Sequence, residues 1–64
     1  MTLFDRLPVP IEAQIACVER ELRYRERVYA RRVRDGKMTQ DLADRELAAM
    51  SAVLNTLLSV KGAG

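Results

Sequence analysis

Arginine is the residue type in this sequence with the most chemistry to offer. Arg20, Arg23, Arg27, Arg31 and Arg34 follow one another at spacings of 3, 4, 4 and 3. On a helix that spacing gathers all five into one arc. The planar guanidinium fork grips phosphate or carboxylate through paired hydrogen bonds, which the ammonium of lysine does not. Tyr24 lies beside these arginines. A ring among guanidinium groups suits a nucleotide, with phosphate on arginine and base stacked on the aromatic face. Like charges four apart, as in Arg23/Arg27 and Arg27/Arg31, each cost an isolated helix roughly 0.2–0.5 kcal/mol. The pairs Glu19/Arg23 and Glu21/Arg25 have the spacing to offset part of that. The plainer reading is a solvated charged face, answered by acids of a neighbouring subunit.

A second group sits toward the apolar side of the same segment. If two helices fold back so that positions summing to about 75 face each other, Tyr29 meets Glu46, Val33 meets Leu42 and Leu22 meets Val53. Glu46 then falls within an apolar arc, between Ala43 and Met50. A buried carboxylate needs a partner, and Arg25, Arg32 and the Tyr29 hydroxyl are the groups within reach. Glu26 flanks the same stripe. One expectation is a structural polar network of Glu46 and Glu26 that fixes the register of the helices. The other is a pocket near the loop end in which Arg25, Tyr29 and Arg32 hold an anion.

The remaining chemistry is sparse. The chain has no histidine and one cysteine, Cys17. That excludes an internal disulfide, a Cys–His nucleophile pair and zinc-ligand spacing. There is no glycine-rich phosphate loop and no serine with a base. No catalytic residue, metal or cofactor is expected, and the chain reads as a non-enzyme. Cys17 lies away from the apolar stripe and reads as incidental.

The elements that must position these residues are helices. Pro10 opens a segment with no helix breaker before Asp35-Gly36. Within it Ile11, Ile15, Val18, Leu22, Tyr29 and Val33 recur at three- and four-residue spacing. Gly36 has the freedom to end it in the left-handed conformation, behind Arg31, Arg32 and Arg34 at the negative end of the helix dipole. Thr39 is a natural N-cap, with Asp41 in the first turn. A second helix is expected from about residue 39 to about Val60, with Leu42, Ala43, Leu47, Met50, Val53, Leu54, Leu57 and Leu58 on its apolar face. The short connection makes the pair antiparallel. The fold class is therefore an all-α antiparallel hairpin, with helices at about 10–35 and 39–60 in a domain spanning 10–61. Residues 1–9, with Leu3, Phe4, Leu7 and Val9 around Pro8, read as an extended arm.

A chain of 64 residues buries only about 60% of its unfolded surface. Without a disulfide or metal, self-association is the remaining way to complete a core. Two hairpins closing into a four-helix bundle, a homodimer or a higher homo-oligomer, are the expectation. The small outer residues of the second helix, Ala48, Ser51, Ala52 and Asn55, read as a surface chosen for helix propensity or, alternatively, as a second interface in an assembly larger than a dimer. Net charge is +2, with 31% charged and 48% hydrophobic residues. That is a foldable composition rather than a disordered one. No apolar run reaches the roughly 18–20 residues that span a bilayer, and Asp5 with the two prolines breaks any signal-peptide core. No membrane partner and a cytoplasmic location are the defaults.

From Val18-Glu-Arg-Glu-Leu-Arg-Tyr-Arg-Glu-Arg-Val-Tyr29, through Gly36-Lys37-Met38-Thr39, to Ala43, Glu46, Met50 and Leu57, the chain resembles a family of short proteins of unassigned function in phages and prophages of proteobacteria. The likeness covers roughly residues 12–58. The family often has a proline after the tyrosine, where this chain has Ala30, so the first helix is expected to run unbroken. The resemblance implies a phage accessory role. Such proteins often inhibit host defence, some by sequestering nucleotide signals and others by binding a host protein. The leading expectation is an anti-defence oligomer that captures an anionic ligand, such as a nucleotide second messenger, through Arg20, Tyr24, Arg25, Arg27, Tyr29 and Arg32. The alternatives are an inhibitor that docks a host protein through its arm or second helix, and a nucleic-acid-binding Rop-like bundle. A net charge of only +2 weighs against nucleic acid.

Overall fold

The computed structural model describes residues 8–63. They form two helices, α1 at Ile11–Arg34 and α2 at Gln40–Ala63, each of 24 residues. The helices pack along each other as a hairpin, and no strand occurs among the described residues. Neither helix is long and apolar enough to cross a membrane. Most of the expected N-terminal arm, residues 1–7, lies outside the described residues. Val9 at its end is exposed.

The helix ends follow from local chemistry. Pro10 is the N-cap of α1 rather than its first helical residue, with φ −59° and ψ 151°. Its carbonyl accepts from the amides of Ala13 at 3.0 Å and Gln14 at 3.1 Å. Proline has no side-chain acceptor, so nothing caps the first amides in return. The Gln14 side chain instead donates to the Val9 carbonyl at 3.0 Å, tying the entering chain to the first turn. At the other end Gly36 has φ +73°. The Lys37 amide donates to the Arg32 carbonyl at 2.8 Å and the Gly36 amide to the Val33 carbonyl at 3.1 Å. These are the two bonds of a Schellman ending, which needs a left-handed residue at the glycine position. Thr39 then caps α2, its Oγ1 accepting from the Leu42 amide at 3.1 Å.

α2 differs from expectation at its far end. It runs through Gly62 to Ala63 instead of stopping near Val60. Glycine in a final turn weakens a helix by about 1 kcal/mol relative to alanine but removes no hydrogen bond.

The core is slight. Only Ile15, at 7% exposure, and Ala43, at 2%, are buried among the described residues. Half-buried neighbours continue from them along two lines. On α1 the line runs Ile11, Ile15, Val18, Leu22, Arg25, Tyr29 and Val33; on α2 it runs Ala43, Leu47, Met50, Leu54 and Leu57. The α2 line alternates steps of four and three, and the α1 line does so as far as Tyr29 before a second step of four to Val33, the spacing of helices packed nearly antiparallel. Leu42, Val53 and Leu58, expected on this inner face, are exposed at 40–48%. Helix α1 covers only a narrow arc of α2, and these three flank it.

Candidate functional site

The arginines and tyrosines of α1 fall into two groups on different flanks. The first is built on Arg25, which occupies a position in the packing line itself. A guanidinium there lays its methylenes along apolar neighbours and keeps its head toward water. Its Nε donates to Glu21 Oε1 at 2.9 Å, with the arginine side chain about one third exposed. That bond, helped by the nearby Tyr29, raises the Arg25 pKa above its ordinary value against the opposing effect of partial desolvation. Tyr29 is one turn further on and half-buried. Arg32 follows three residues later, exposed, with no carboxylate within 4.0 Å among the described residues. The helix ending holds its backbone in place, because its carbonyl is one of the two Schellman acceptors. Spacings of four and three put Arg25, Tyr29 and Arg32 on one flank, as the sequence implies. They do not enclose a pocket: no cavity opens on the hairpin among the described residues. The expected anion pocket near the loop is therefore absent among the described residues of a single chain, because two helices side by side have no third wall.

The second group is the outer arc. Arg20, Arg23, Arg27, Arg31 and Arg34 are all exposed. Arg34 pairs with Asp35 at 3.1 Å. The other four have no carboxylate within 4.0 Å among the described residues, and the expected Glu19/Arg23 pair does not form. Tyr24 stands between Arg20, four residues before it, and Arg27, three after it, and is 54% exposed. Its ring is thus accessible beside two guanidinium groups, the arrangement that stacking with phosphate contact requires.

Glu46 and Glu26 do not form the expected network. Both are exposed, and neither has a side-chain hydrogen bond or ion pair among the described residues. At 100° per residue, Glu46 lies about 60° around α2 from Ala43, which faces α1 squarely. The apolar arc of α2 is wider than the strip α1 covers, so a place in that arc is not a place in this core. Cys17 is free and exposed. Val28, which the apolar periodicity of α1 passes over, is half-buried. No cluster of metal-ligating side chains occurs among the described residues. No protein-family model, curated protein or solved structure matches the chain.

Proposed function

We propose that this chain is a non-enzymatic, self-associating binding protein of the phage accessory type, acting in the host cytoplasm. Its ligand is anionic, a nucleotide second messenger, held by arginine and tyrosine side chains of α1. The observation that carries the reading is the set Arg20, Arg23, Arg27, Arg31 and Arg32, none with a carboxylate partner among the described residues. Packing five unneutralised guanidinium groups onto one helix costs stability, and a phosphate-bearing ligand gives that cost a purpose. Arg25 contributes although Glu21 engages it, since Glu21 takes the Nε edge and leaves the two Nη groups. Tyr24 and Tyr29 supply a stacking face in each group. A small nucleotide needs more enclosure than one hairpin offers, so the reading requires the assembled oligomer.

Calorimetric titration of the full chain against cyclic and linear nucleotides tests this. Heat is expected with at least one of them, with affinity reduced about tenfold or more by Arg32→Ala or Arg25→Ala, the loss of one charge-assisted contact. No heat with any nucleotide, or affinities untouched by these substitutions, overturns it.

The second reading is nucleic acid. Arg20 to Arg34 form an open line about 21 Å long with no cavity beside it, a shape suited to a polymer backbone. Here the logarithm of the affinity should fall with the logarithm of salt by about 0.9 for each arginine engaged on duplex DNA.

A further inference from the structure

Helix α2 carries a second packing line that no other described residue covers. Beside the inner line, the positions 42, 46, 49, 53, 56 and 60 repeat the same steps of four and three. They hold Leu42, Glu46, Ala49, Val53, Thr56 and Val60, all exposed. Leu42, Val53 and Val60 are 40%, 48% and 56% exposed. The line lies about 100° around α2 from the inner one. That angle is what a helix shows when it touches two neighbours, as in a four-helix bundle. The opposite flank shows no such line: Leu58 stands there near Ser51 and Asp44.

The handedness of the helices says what lies across from it. In an antiparallel pair of right-handed helices, the flank of α2 that bears Val53 shares a side of the hairpin with the flank of α1 that bears Arg25, Val28 and Arg32. Half-buried Val28 belongs to this side. So the face has an apolar strip on α2 and a basic margin on α1, with Glu46 inside the strip.

We infer that this face is where a second copy of the chain docks. A second copy complements this face. The strip runs over 19 positions, about 27 Å, and has the period of an α-helix, so it fits another long amphipathic helix. A copy docked with its loop at the opposite end sets this strip against its own equivalent, and sets the net +3 of residues 23–51 against the net −1 of residues 8–22 with 52–63. With only two buried side chains among the described residues, docking on this side adds the missing layer. The inference makes no use of the ligand reading, and its test contains no ligand.

Sedimentation of the full chain over a roughly hundredfold concentration range decides it. The wild type should self-associate. Val53→Glu should raise the dissociation constant about a hundredfold, and Leu58→Glu on the other flank should change it less than about threefold. Val53 is exposed in the protomer, so glutamate there is compatible with the hairpin, and circular dichroism checks the helix content. Glu46→Leu guards against a loss caused by misfolding, because it should tighten association about tenfold by extending the apolar strip. A wild type that stays monomeric overturns the inference. So does dissociation by Leu58→Glu with none by Val53→Glu, or a Glu46→Leu chain that associates no better than wild type.

Discussion

Arg25 is the residue at which stability and the proposed anion binding pull apart. It occupies a packing position of α1 that elsewhere holds Ile15, Val18 and Leu22, and it faces the Met50 region of α2. The Glu21 bond does little for stability, because it is a solvent-screened i,i+4 pair whose two side chains are 34% and 46% exposed. The fold raises the pKa of Arg25. Its electrostatic contribution is therefore present below the unfolded value and lost only as pH climbs through the folded one. No stability change between about pH 5 and 9 comes from this group. An apolar side chain should serve the packing line better. Arg25→Met is expected to raise the Tm, because an unbranched apolar side chain fills the packing line without holding a charge there, with anion binding weakened in the same protein. Thermal unfolding at fixed protein concentration reads the first effect and calorimetry the second. A Tm that falls instead makes Arg25 a structural residue held by Glu21 and Tyr29.

The helices were largely legible from their ends inward, because their punctuation is local chemistry. Two glycines show how context changes the meaning of one residue type. Gly36 adopts φ +73°, and although no atom lies within 4 Å of a Cβ built there, the backbone conformation itself resists a side chain. Gly36→Ala should destabilise by about 1–2 kcal/mol. Gly62 lies in regular helix with open space around it, so Gly62→Ala should stabilise by up to about 1 kcal/mol. Denaturant midpoints at one protein concentration, with unchanged slopes, would show the opposite signs. Two like signs would mean that the Schellman ending or the helical Gly62 is wrong. The same contrast marks what the sequence could not settle. Periodicity shows which residues of α2 are apolar, from Ala49 round to Leu58. It does not show how much of that arc one neighbour covers. That is why Glu46, Leu42 and Val53 read as core and prove to lie beside it. The split of the arginines into two flanks was likewise open to helical geometry, whereas the lack of a pocket depends on the width of the whole hairpin.

At the scale of the whole molecule the charge is unevenly placed along the hairpin. The half nearest the loop, residues 23–51, has eight basic and five acidic residues, net +3. The open half, residues 8–22 with 52–63, has two basic and three acidic residues, net −1. Two hairpins docked on the Val53 face with loops at one end would set +3 against +3. With loops at opposite ends, each +3 half lies against a −1 half. The like halves are then about 18 Å apart along the axis, beyond the screening length of about 10 Å at 0.1 M salt. The near contacts dominate, and they are attractive only when the loops are at opposite ends. Sodium chloride is therefore expected to weaken self-association, by about three- to tenfold between roughly 0.05 and 0.5 M, as screening removes surface attraction. Sedimentation equilibrium at several salt concentrations measures this. Tightening with salt would mean that the repelling halves are neighbours and the loops lie at the same end. The Arg25, Tyr29 and Arg32 groups of the two copies would then stand side by side, which makes the salt dependence of assembly a guide to where an enclosed anion site could form.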